Sequence, residues 1–404
     1  MTQKKTKPVT TSGKEIIQTQ RSLTNILYPL IFSVFAVYLT MGISLGVLPG
    51  FIKNDLQFGN LAIGITIGLQ SLAALLTRAY AGKITDTLGA KVSNHRGVFL
   101  IFMAGLLYIS AGFSVGFPML ALGLLIISRI IHGIGESMLV TGALTWGIGL
   151  LGVQNSGKVM TWNGIAMYAG IALGAPLSIW LKDQSGIIFP FALITLLSIV
   201  SLLLTGKLAV ISADASHIRI PFYKVVGKVL NQGLALAFSS MGFACIASFI
   251  ALLFADKNWS GASLGFLCFG GFYIATRLFF ASYPDKFGGY KVAMVSFAVE
   301  IIGQLLIGFS TSGWMAIAGC ALTGIGFSLV FPALGVLAIK KVQPQMRGTA
   351  LGAYSAFFDL SLGVAGPVAG LIAGWFNYQS IYIFGAISAL SAILILFKDK
   401  SSRR

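Results

Sequence analysis

Charge is what this chain has least of. Only 10% of its 404 residues are Asp, Glu, Lys or Arg, where a soluble domain carries roughly 25%. Acid is scarcer still, with 11 Asp and Glu against 28 Lys and Arg. So low a charge content excludes an ordinary water-soluble fold. Cysteine is nearly missing too. Cys245, Cys268 and Cys320 lie far apart inside apolar runs, which excludes a disulfide framework and a thiolate metal cluster. Each reads as a small buried apolar residue. The three histidines, His95, His132 and His217, are equally scattered, so no metal site is expected. No glycine-rich loop ends in the Lys-Ser/Thr pair that cradles nucleotide phosphates, so ATP hydrolysis is not expected. No paired nucleophile and base can be read either, and no enzymatic activity is expected.

Long apolar runs take the place of charge. Stretches of about 18 or more apolar residues read as membrane spans, and they follow one another along nearly the whole chain. A span must satisfy its own backbone, either as a helix or in a closed barrel. A barrel needs alternating polarity, which runs such as "LITLLSIVSLLL" (193–204) lack. The fold class is therefore an all-α membrane protein. The 49 glycines suit it, because small residues let membrane helices approach closely. Twelve spans are predicted, near 26–51, 60–81, 97–116, 119–149, 158–181, 187–206, 229–255, 262–282, 291–310, 314–339, 348–375 and 378–397. The first exceeds the apolar core of a signal peptide. A basic tail (1–24) precedes a six-helix bundle (25–206). A polar linker (207–228), a second bundle (229–397) and a basic tail (398–404) follow.

The net charge of +17 could suggest nucleic acid, but its distribution argues otherwise. With the N-terminus inside, all Lys and Arg except Lys53, Lys182, Lys257 and Arg129 fall on cytoplasmic segments or span ends. That asymmetry is the positive-inside signal, and anionic lipid accounts for it. Both termini are expected on the cytoplasmic side, with no nucleic-acid partner.

The two bundles echo each other. "TRAYAGKITDTLG" (77–89) returns as "TRLFFASYPDKFG" (276–288), 199 residues later. "GIGESMLV" (133–140) returns as "GIGFSLV" (324–330), and Gly157 and Pro176 match Gly348 and Pro367, all at an offset of 191. Matching pairs in one order imply a duplication. Two such bundles suggest a pseudo-twofold axis along the membrane normal, with a cavity between the halves.

This layout resembles the major facilitator superfamily over essentially the whole chain. Gly82-Lys-Ile-Thr-Asp86-Thr-Leu-Gly89-Ala-Lys91 matches the family's loop between spans 2 and 3, with Thr87 where a basic residue is usual. The second copy has Lys286 there but Ala281 for the first glycine. The resemblance makes these residues a conformational latch: Arg78, Gly82, Asp86, Gly89 and Lys91, with Arg277, Asp285 and Gly288 in the second half. It implies that Asp86 docks on the start of span 11, where free backbone N–H groups favour a carboxylate. Arg78 and Arg277 are candidates for ion pairs between halves.

Span 4 reads "SRIIHGIGES". Arg129, His132, Gly133 and Glu136 share one helical stripe. Arg129 lies about 15 Å deep at 1.5 Å per residue. A mid-bilayer charge costs at least ~2.5 kcal/mol, so Arg129 should face the cavity and find a partner. Arg129, Gly133 and Gly135 match the family's span 4 motif, which the resemblance assigns to proton coupling. Glu136 could hold the exchanged proton, and Asp359, mid-depth in span 11, is the second carboxylate expected there. His132, Trp162 and Asn163 are candidates for the substrate cavity. Gly170, Gly174 and Pro176, and Gly363, Gly366 and Pro367, resemble an antiporter packing motif, expected against span 8 or span 2. More narrowly, spans 4 and 5 resemble the YhhS/YfcJ-type branch of bacterial facilitators, grouped as efflux-like. The expected function is secondary active transport of a small solute by alternating access, by proton-coupled export as an antiporter or by proton-coupled uptake. A non-transporting membrane sensor or scaffold is the alternative of another class. No cofactor beyond the proton gradient is expected, and the chain is expected to act as a monomer.

Overall fold

In a computed structural model, the described residues are 13–152, 156–211, 223–342 and 347–399. They are helical almost throughout. The first half holds α1 (Gly13–Gly50), α2 (Asn60–Leu88), α3 (Ala90–Phe113), α4 (Pro118–Leu151), α5 (Ser156–Ser185) and α6 (Ile188–Gly206). The second holds α7 (Tyr223–Asp256), α8 (Ala262–Phe280), α9 (Tyr283–Phe287), α10 (Gly289–Gly308), α11 (Gly313–Ser328), α12 (Val330–Lys340), α13 (Arg347–Trp375) and α14 (Tyr378–Lys398). Twelve of the resulting spans are long and apolar enough to cross a membrane. α11 and α12 share one of them, and α9 is a short connecting helix. The result is two six-helix bundles facing each other across a pseudo-twofold axis.

Four boundaries differ from the sequence reading. α1 begins at Gly13, so part of the expected basic tail is helical. α2 runs to Leu88, so the Gly82–Gly89 motif is a helix end rather than a loop. The turn shrinks to Gly89, whose φ of +97° suits only glycine. In the second copy Gly288 plays that part at φ +86°, but Pro284 starts the separate α9 there. Span 10 breaks at Leu329, where α11 gives way to α12. Residues 212–222 of the linker, 400–404 of the basic tail and 1–12 lie outside the described residues.

Glycines set the closest approaches. A Cβ at Gly133 of α4 would strike the Gln70 carbonyl of α2, and one at Gly324 of α11 would strike the Phe269 carbonyl of α8. These two positions are duplicates, so each half is bound by the same contact. Between halves, α2 meets α13 where Gly64 and Gly68 abut Gly366 and Gly363. α5 meets α8 where Ala172 and Tyr168 abut Gly270. The expectation that Gly170 and Gly174 pack on span 8 fails, because they meet Phe35, Leu39 and Gly42 of α1 instead. The helical period explains this. Gly170 and Gly174 form one face of α5, and Tyr168 and Ala172 form the opposite one.

Candidate functional site

The end of the bundle that carries Gly89 and Gly288 also carries most of the lysines and arginines. It is called the basic end here, and the opposite one the far end. Between the halves, about midway, lies a small cavity. Met41 and Leu45 of α1, Ile67 and Ser71 of α2 and Arg129 of α4 line one side. Phe243 and Ser248 of α7 and Leu362 of α13 line the other. About 20 Å³ is open to the centre of a water molecule, room for roughly one water. Any solute larger than water enters only if the halves part.

Arg129 reaches this cavity because Gly133, one turn on, lets α4 lie against α2. Its Nε and Nη2 donate to the Thr66 and Ile67 carbonyls at 3.2 and 3.0 Å. The side chain is 1% exposed, and Nη1 has no hydrogen-bond partner among the described residues. Among the described residues neither Glu136 nor Asp359 is its ion-pair partner. Seven residues separate Arg129 from Glu136, and Glu136 sits nearer the basic end, where it accepts from Gln70 Nε2 at 2.7 Å and from the Tyr38 hydroxyl.

Asp359 has its counter-ion from the other half. Arg78 Nη2 of α2 lies 2.5 Å from Asp359 Oδ2 of α13. Arg78 Nη1 donates to Ser355 Oγ at 2.9 Å. Ser355 and Asp359 are one turn apart, so the guanidinium fork spans both. Glu136 is near enough to repel the Asp359 carboxylate electrostatically. Tyr38, Gln70, Glu136, Arg78 and Asp359 thus form one polar band, crossing from the first half to the second. Sequence reading singled out both carboxylates but not the pairing. The Arg78 guanidinium was legible as a cation facing the other half, while its partner was not.

The duplicate of Arg78 behaves otherwise. Arg277 of α8 lies over the Tyr273 ring, 5.1 Å from its centroid, and donates to the Ser328 carbonyl at 3.0 Å. That carbonyl is free because Pro332, four residues on, has no N–H to give it. Tyr273 in turn stacks on Tyr168 of α5 at 3.7 Å. Phe243, Phe269, Phe327 and Phe358 continue the ring cluster. This aromatic plug closes the basic side of the cavity.

The other expected residues lie elsewhere. His132 is buried inside the first half, with Nε2 3.2 Å from Thr40 Oγ1 and its ring against Tyr108, and does not line the central cavity. Asn163 is buried beside Val159 and Leu30 in a second cavity within the same half, and donates to Met167 Sδ. Trp162 is exposed. A one-residue step on a helix turns a side chain by about 100°, which sequence alone could not aim. Lys91 does not cross between halves. It donates to the Gly206 and Leu208 carbonyls, both at 2.7 Å, closing the end of α6 where carbonyls lack partners. Asp285 is exposed on α9. Asp86 lies half-buried in the last turn of α2 and is engaged in an interaction. The side chains at the start of span 11, expected to receive it, lie outside those described. At the far end, Lys53 donates to the Tyr378 hydroxyl, which donates to Asn60 at 2.9 Å. Among the described residues no group of three or more His, Cys, Asp or Glu could hold a metal ion.

Comparison with known proteins agrees with this architecture. Residues 30–222 and 233–404 match the family model described as Major Facilitator Superfamily. The chain is 42% identical to YhhS of Escherichia coli (strain K12), described as an uncharacterized MFS-type transporter, over 91% of this chain and 90% of that one. It is 41% identical to an MFS-type transporter of Burkholderia mallei (strain SAVP1), covering 89% of this chain and 88% of the relative. Among solved structures, a D-xylose-proton symporter superposes with a TM-score of 0.75 at 17% identity, covering 92% of this chain and 97% of the other. The chain belongs to the major facilitator superfamily, and is a multi-pass membrane transporter of small-molecule solutes rather than an enzyme.

Proposed function

We propose that the chain exports a small solute across a bacterial cytoplasmic membrane in exchange for protons, by alternating access. The basic end faces the cytoplasm, both termini lie there, and the monomer is the working unit. The observation that carries this reading is the Arg78–Asp359 pair, made between halves and beside the Glu136 carboxylate. Ionised, Asp359 ties α13 to α2 and holds the basic end shut. A proton reaching Asp359 from the far side by way of Glu136 removes that attraction, and the basic end opens. Loss of the proton to the cytoplasm, with solute bound, restores the pair and returns the solute outward. Two discrete arrangements and a ligand that prefers one are all this requires. The glycine–proline runs Gly170 to Pro176 and Gly363 to Pro367 support export over uptake, by their likeness to the antiporter motif.

The test uses the purified chain in liposomes with an internal pH dye and an imposed pH gradient. Candidate solutes are expected to move protons against their own direction of travel. That flux should vanish in Asp359→Asn and in Glu136→Gln. Co-directional movement would replace export with uptake. Solute-driven flux that persists at full rate in both variants would remove the proton roles.

A further inference from the structure

The duplication sets two arginines in equivalent places and gives only one of them a carboxylate. Arg78 and Arg277 match at the offset of 199 between spans 2 and 8. Spans 5 and 11 match at 191, so Asp359 corresponds to Tyr168 and Ser355 to Gly164. The contacts follow that register. Arg78 binds Asp359 and Ser355. Arg277 lies beside Gly164, where a Cβ would sit 2.9 Å from its Nη1, and beside Tyr273, on which Tyr168 stacks. Where the first arginine meets an acid, the second meets phenol rings. Among the described residues no carboxylate pairs with Arg277.

Charge along the interface is therefore unbalanced. Arg78, Arg129 and Arg277 set three cations between the halves, against Glu136 and Asp359. Arg129 adds an unsatisfied donor, since its buried Nη1 has no partner among the described residues and its side chain lines the central cavity. An unmatched cation inside a bilayer is costly and marks a path for something charged. The two arginines without a carboxylate partner among the described residues lie in sequence, Arg277 at the basic mouth and Arg129 at the centre, with the Tyr168–Tyr273 stack and Phe243 between them. When the halves part at the basic end, Tyr168 leaves with the first half. Arg277, Tyr273 and Tyr354 then face the opening.

We propose that the transported solute is an organic anion with an aromatic or apolar body, taken at the basic end by Arg277 through its carboxylate. The guanidinium fork fits a carboxylate in two hydrogen bonds. The rings of Tyr273 and Phe243 receive the body, and Arg129 holds the anion once it reaches the cavity. The solute supplies the counter-ion that Asp359 supplies to Arg78 in the other half. This proposal rests on the transport reading above.

The experiment measures thermal stabilisation of the detergent-solubilised full chain by benzoate, phenylacetate and indole-3-acetate, each beside its uncharged amide. At least one carboxylate is expected to stabilise the chain more than its amide. In Arg277→Gln its apparent binding should weaken about tenfold, a difference of 1.4 kcal/mol. Arg277→Lys should keep part of the effect, which guards against misfolding of the first variant. Tyr168→Glu should suppress the carboxylate effect by supplying Arg277 with an internal acid, as Asp359 supplies Arg78. Amides as effective as acids, no response to any carboxylate, or an undiminished response in both Arg277→Gln and Tyr168→Glu would overturn the proposal. Flux in liposomes separates the two readings. Transport indifferent to solute charge leaves the transporter and overturns the anion, whereas charge-selective binding without proton flux keeps the anion and removes the coupling.

Discussion

At the scale of single residues, the two latch motifs have diverged, and the consequences are measurable. Asp86 lies half-buried and engaged at the end of α2, whereas Asp285 stands exposed on α9. Asp86→Asn is therefore expected to slow transport more than Asp285→Asn at equal expression, in a solute-flux assay. Equal losses would mean that both copies brace the halves alike. Arg78 offers a second measurement. Arg78→Gln leaves the nearly buried Asp359 without its counter-ion. The cost to the closed basic end is about 1–3 kcal/mol, below the 3–5 kcal/mol of a fully buried pair, because Arg78 is itself 30% exposed. A cysteine at Tyr168, between the halves, reports on opening. Its alkylation by an impermeant maleimide from the basic side should accelerate in Arg78→Gln. Cys245 and Cys320 are buried, so only Cys268 needs replacing by serine beforehand.

At the scale of helices, packing is fixed by backbone contact rather than by interlocking side chains. Gly133 is the test. A Cβ there strikes the Gln70 carbonyl, which is backbone and cannot swing aside. Gly133→Ala should destabilise the first half by about 1–3 kcal/mol, the usual range for overpacking, and displace Arg129 from the carbonyls it binds. Gly123→Ala, ten residues earlier on the same helix with nothing within 4 Å, should leave the melting temperature unchanged or raise it slightly. Sequence pattern located these helices well, since apolar length alone marks a span. It could not say which face a glycine serves. Gly170 and Gly174, like Gly363 and Gly366, lead into a proline within a span, yet one pair packs inside a half and the other between halves. It also missed the break at Leu329, just before Pro332, in a run that remains apolar throughout. The polar band was half-legible. A carboxylate inside a span is conspicuous, but its partner lies 281 residues away in the chain (Arg78 to Asp359), a distance only the fold can bridge.

At the scale of the whole molecule, the halves touch at both ends and leave space for about one water between them. Lys53 and Asn60 hold Tyr378 at the far end, and Arg78 holds Asp359 and Ser355 towards the basic end. Alternating access requires that each clasp open while the other holds, so locking either one should stop transport without unfolding the chain. Lys53→Cys with Tyr378→Cys, in the Cys268→Ser background, places two thiols across the far-end clasp. A short bis-maleimide should join them, and the linked protein should lose solute flux while keeping its melting temperature. A disulfide-containing linker of similar reach should give the same loss, and reduction should restore flux. The basic end would still open in the linked protein, so maleimide labelling of Tyr168→Cys from that side should survive cross-linking. If linked protein transports at the parent rate, the halves do not rock about a central site, and solute moves by a route that leaves the far-end clasp closed.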